Sequence, residues 1–186
     1  MIRRLCGIGA LVVAVVAMSV PAAHAATVSA DEWAPKFCTA MSDWQSTITA
    51  KGDAMQTELQ SVTDLHTGRD QIAAFLSDMV DATDTAVGAI KDAGKPSTPN
   101  GAKISAVFQS GFKAISKVFA KAEAQAEKLP TSSATAFKAK GKQLGKALST
   151  SSDELGKGFS SIGKLDKGKK LETAVKAAPE CAFLNS

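Results

Sequence analysis

The chain has 186 residues, of which 45% are apolar, 22% charged and 5% aromatic. That balance suits an ordinary one-domain globular protein and excludes a collagen-like, disulfide-dense or disordered chain. Three Cys and two His supply too few soft ligands for a cluster of zinc or iron–sulfur sites, and no cofactor is expected.

The first element is an export signal. Arg3 and Arg4 precede an apolar run from Leu5 to Val20, then Pro21 and Ala23-His24-Ala25. Two cations hold the amino end on the cytoplasmic side, the apolar run partitions into the bilayer, and the small residues fit a signal peptidase cleft. Residues 1–25 are therefore expected to be removed near Ala25, leaving 26–186 as a single secreted or cell-envelope domain. Loss of Arg3 and Arg4 reduces the formal net charge from +4 to +2. The remainder is uneven: 26–94 carry 4 basic and 11 acidic side chains, whereas 95–186 carry 16 basic and 7 acidic.

Cys6 leaves with the leader, so the mature chain keeps Cys38 and Cys181, one near each end. An even pair in an exported protein predicts a disulfide. It requires the two alpha carbons to lie within about 7 Å of each other.

Trp33, Phe37, Met41, Trp44, Ile48, Met55, Leu59 and Val62 recur at helical spacing. Ser29 or Asp31 can cap this first helix, Pro35 falls near its first turn, and Gly52 marks a bend or break. A polar stretch around 64–69 separates it from a second stripe through Ile72, Phe75, Leu76, Met79, Val80, Ala86, Val87 and Ile90. Two prolines then make Lys95 to Gly101 a loop.

A third stripe runs through Ile104, Val107, Phe108, Phe112, Ile115, Val118, Phe119 and Ala122 and ends before Pro130. A fourth, from Phe137 through Leu144, Leu148 and Leu155 to Ile162, contains several glycines and the Ser149 to Ser152 run, which weaken it as a helix. A short last helix is expected over about 165–178. No segment alternates apolar and polar residues, so no strand is expected. The fold class is all-α: an antiparallel four-helix bundle with a short C-terminal helix, closed by one disulfide.

Several patterns resemble chemistry without its context. His66, beside Asp64 and Asp70, lacks a serine on a strand-to-helix elbow. Gly158 to Lys164 has phosphate-loop spacing, but Leu165 stands where Ser or Thr should hold magnesium. Asp78, Asp81 and Asp84 spread along a helix and do not converge on a cation. Trp33 and Trp44, eleven residues apart, share a face and fill a core. No catalytic or metal-ligating residue is assigned, and a non-enzymatic role is expected.

The basic half is more informative. Lys113, Lys117 and Lys121 repeat at four-residue spacing on the third helix, and Lys138, Lys142 and Lys146 do so on the fourth. Such ridges either face the acidic helices and bias their pairing, or attract an anionic envelope polymer, membrane surface or protein. Nucleic acid is not expected as a partner, because the ridges lack interleaved aromatics. The Phe and Met content of the stripes suggests a second role, a carrier of an apolar ligand within the bundle.

The Ala-ending leader, the Trp33 to Cys38 segment followed by Trp44, the Lys95 to Gly101 loop and the terminal Cys181 together resemble small secreted α-helical proteins of high-GC actinobacteria, most of them uncharacterised. The resemblance implies a bacterial cell-envelope setting and carries over no catalytic residue.

Overall fold

The structure, a computed structural model, describes residues 26–159 and 162–184, with 150–159 as backbone only. The expected leader, 1–25, lies outside the described residues. In chain order the elements are β1 (Thr27–Val28), α1 (Ala30–Gln60), α2 (Leu65–Asp92), β2 (Lys95–Pro96), α3 (Gly101–Ala126), α4 (Ala134–Phe159), α5 (Ile162–Leu165), α6 (Lys170–Ala177) and a 3₁₀ turn (Pro179–Leu184). The protein is mostly helical, as the periodicity predicts.

Ser29 starts α1. Its hydroxyl accepts from the Glu32 N–H at 3.1 Å, while the Glu32 carboxylate accepts from the Ser29 N–H at 3.1 Å, a reciprocal capping box. The Ser29 N–H, and then the Ser29 hydroxyl donating to the same carboxylate at 3.0 Å, lower the Glu32 pKa from its ordinary value. Pro35 sits in the second turn, later than expected, and offers no N–H to the Asp31 carbonyl. The helix nevertheless runs unbroken through Gly52.

The α1–α2 turn is shorter than the polar stretch suggests, because Asp64 caps α2 by accepting from the His66 and Thr67 N–H groups, each at 2.9 Å. The Thr67 hydroxyl also donates to Asp64 at 2.6 Å, and this contact is the first cause of its lowered pKa.

Residue contacts set the direction of the helices. Trp33 meets Gly94, Trp44 meets Thr83, and Lys51 meets Asp78, so α1 and α2 run antiparallel. Ser105 meets Gly94, and Leu76 clusters with Ala122 and Ala126, so α3 reverses again. Helix α4 packs on α3, whereas α1 takes α6 and the 3₁₀ turn as further neighbours.

Two apolar clusters result. One contains Trp33, Phe37, Cys38, Ile90, Ile104, Phe112, Leu171 and Cys181; the other contains Leu76, Ala122, Ala126, Leu129 and Leu144. The far half of the α1 stripe is less covered than its sequence suggests: Ile48 and Met55 are half-buried, and Leu59 is 39% exposed.

Two expectations need correction. A short parallel bridge pairs Thr27 with Lys95 and Val28 with Pro96. Two residues per strand are too few for alternation to register in sequence. The last helix starts later than expected, at Lys170 instead of about residue 165, because Lys169 adopts a left-handed conformation (φ 51°) and Asp166 turns back to accept from the Leu171 and Glu172 N–H groups, each at 3.0 Å. The fourth helix is present as expected and its continuity, left open by its glycines, is resolved over Ala134–Phe159, anchored by Phe137, Leu144 and Leu148 in the second cluster, while Ile162 falls in the separate α5.

Candidate functional site

The expected pairing of Cys38 with Cys181 is present. The two form a disulfide with alpha carbons 5.1 Å apart across 143 residues, and both are fully buried. The bridge brings the C-terminal arm, α5 to the 3₁₀ turn, against α1. A second tie holds the near end of the arm, where the Asn100 side-chain amide donates to the Leu165 carbonyl at 2.8 Å.

Between the arm and the helices lies a cleft of about 490 Å³. Its floor is aromatic. Trp33 and Phe37 are four residues apart on α1 and stack with centroids 4.5 Å apart and planes 11° from parallel. Phe108 of α3 lies 4.4 Å from Phe37 and 6.1 Å from Trp33, tilted against both. The indole is fixed in place: it is 1% exposed, and its Nε1–H donates to the Gly94 carbonyl at 3.2 Å. Ile162, Leu171, Val175 and Leu184 add apolar wall from the arm, and Leu184 is 50% exposed.

The mouth is charged, with Asp166, Lys167, Lys169, Glu172 and Lys176. Lys176 donates to Glu172 at 2.7 Å and Lys169 approaches it at 3.8 Å. The Lys176 hydrogen bond, then the charges of Lys169 and Lys176, lower the Glu172 pKa. Two smaller hollows between α1 and α2, about 200 and 460 Å³, are lined by Ala40, Asp43 and Ala89 and have no comparable aromatic floor.

The lysine ridges lie elsewhere. Lys113, Lys117, Lys121, Lys138, Lys142 and Lys146 are all exposed, three on α3 and three on α4. Among the described residues, the first five form no ion pair with an acidic side chain. The ion pair joining two long helices is Lys51–Asp78, within the acidic half.

The other patterns keep their structural roles. His66 is exposed in the first turn of α2. Asp78 pairs with Lys51, while Asp81 and Asp84 are exposed. Much of Gly158 to Lys164 falls outside the described side chains. Trp44 is half-buried; its Nε1–H donates to the buried Thr83 hydroxyl at 3.1 Å, and its ring meets Phe112 edge-on at 5.0 Å. Among the described residues, no group of three His, Cys, Asp or Glu side chains could hold a metal, and no described helix is long and apolar enough to cross a membrane.

Sequence reasoning assigned Trp33, Phe37 and Phe108 to a core stripe and did not separate them as a site. The signal was present in one place: Cys38 directly follows Phe37, so its bond to Cys181 must carry the arm's apolar residues onto that face of α1. No protein-family model, curated protein or solved structure matches this chain.

Proposed function

We propose that the protein is an exported, non-enzymatic carrier that holds a small apolar ligand in the cleft between α1, α3 and the C-terminal arm. The supporting observation is the cleft itself: an aromatic floor with a charged rim and a volume of about 490 Å³, within the range of small-molecule sites. In this reading the leader at 1–25 directs secretion, and the mature chain is released or held at the cell envelope of a high-GC actinobacterium. The helices form an antiparallel four-helix bundle with α4 returning along α3. Contacts of alternating direction from α1 to α3 are consistent with it.

Ligand-retaining purification from the native host, followed by native mass spectrometry, tests the carrier role. The expected result is an adduct that organic solvent extracts as an apolar small molecule. A bare mass with nothing extractable contradicts it.

A second reading is favoured by a separate observation, the five exposed lysines on α3 and α4 that lack acidic partners. In that reading the ridges hold the protein on an anionic envelope polymer, membrane surface or protein. Binding to anionic vesicles should then weaken steeply as salt rises from 50 to 200 mM, roughly the span over which multivalent lysine contacts are screened. Binding indifferent to salt rules it out.

A further inference from the structure

We infer that the cleft's ligand is an amphiphile with an anionic head, its tail lying on Phe108 and the arm's Val175 and Leu184, above the buried Trp33 and Phe37, and its head at Lys167. The inference rests on the carrier reading and deepens it. The cleft joins an apolar interior to a charged mouth, a shape that suits a molecule with two unlike ends.

The charge balance at the mouth selects the sign of the head. Three lysines face two carboxylates there, and both carboxylates are already engaged. Asp166 accepts from two backbone N–H groups at the start of α6, each at 3.0 Å. Glu172 is held by Lys176 at 2.7 Å and approached by Lys169 at 3.8 Å. Lys167 is exposed and, among the described residues, has no ion pair or hydrogen bond. An anionic head gains a partner in Lys167 without displacing an existing one, whereas a cationic head meets a rim with one more lysine than carboxylate.

Size bounds the tail. A volume of 490 Å³ equals about 16 water molecules at roughly 30 Å³ each. A methylene group is of similar bulk, so a chain of about a dozen carbons fits.

The test uses the mature protein with Trp44→Phe, so that emission reports Trp33 alone. Dodecanoate, dodecanol and dodecylamine are titrated as monomers at neutral pH and low salt. Dodecanoate is expected to bind about 1.5-fold to fivefold more tightly than dodecanol, the range of an exposed ion pair. Lys167→Glu should abolish that preference, while Lys117→Glu, the same charge change on the outer face of α3, should preserve it. Equal binding of acid and alcohol, tightest binding of the amine, or an unchanged preference in Lys167→Glu overturns the anionic head and leaves the carrier reading standing. Failure of all three compounds to bind overturns both.

Discussion

Replacing Gly101 with Ala is expected to lower stability by about 3 kcal/mol, at the upper end for overpacking a tight site. That corresponds to a fall of about 10 °C in melting temperature for a chain of this length. A beta carbon at Gly101 would lie 1.7 Å from the Pro96 carbonyl oxygen and 2.7 Å from its carbon. No flexible side chain can yield there, so the backbone must shift. Pro96 is itself held, since it pairs with Val28 and the following Ser97 N–H donates to the Val28 carbonyl at 2.7 Å.

The disturbance would reach β1 and the start of α3 together. Gly88, inside α2 with nothing within 4 Å of a built beta carbon, supplies the control. Its replacement by Ala should stabilise by about 0.5 to 1 kcal/mol through reduced chain entropy. Calorimetric melting of both variants checks the pair. An unchanged melting temperature for Gly101→Ala would contradict the tight turn at Pro96.

What the sequence revealed depended on how local the cause was. The stripes through Trp33 and Phe37, Leu76 and Met79, and Ile104 and Phe112 repeat at every turn, and those residues are buried in the structure. The Cys38–Cys181 pairing was legible because only these two cysteines lie outside the expected leader. The 95–101 segment was legible as a turn, but its pairing with Thr27 and Val28 was not, since a two-residue bridge leaves no periodic trace.

Burial along α1 was overestimated for a different reason. Periodicity shows which face is apolar and not how far a neighbour extends over it, and cover thins beyond Trp44 toward the exposed Leu59. The cleft was hidden because it is tertiary. Phe108 comes from α3 and Leu171 from the bridged arm, so the neighbours of Trp33 come from segments far apart in sequence. The lysine ridges were legible as ridges, but spacing alone gave no partner, and five of the six are exposed without an acidic partner among the described residues.

The second large effect concerns the bridge. Closing a loop between residues 143 apart restricts the unfolded chain, and removing such a link costs about 2 to 5 kcal/mol. Replacing both Cys38 and Cys181 by Ala should therefore lower the melting temperature by about 10 °C. The loss should also be unevenly distributed. Helices α2 and α3 face each other along their length, independently of the sulfurs. The arm has far fewer anchors, chiefly the bridge, the Asn100 hydrogen bond to the Leu165 carbonyl, and burial of Leu171 and Ala174. Without the bridge the arm should open more readily than the rest of the molecule, and the cleft it walls should lose its shape.

Amide hydrogen exchange, read peptide by peptide in the bridged protein and in the double Ala variant, measures this directly. Faster exchange confined mainly to 162–184 and the facing start of α1, with α2 and α3 still protected, is the predicted result. Equal protection of α6 in both proteins would contradict the claim that the bridge holds the arm over the aromatic floor.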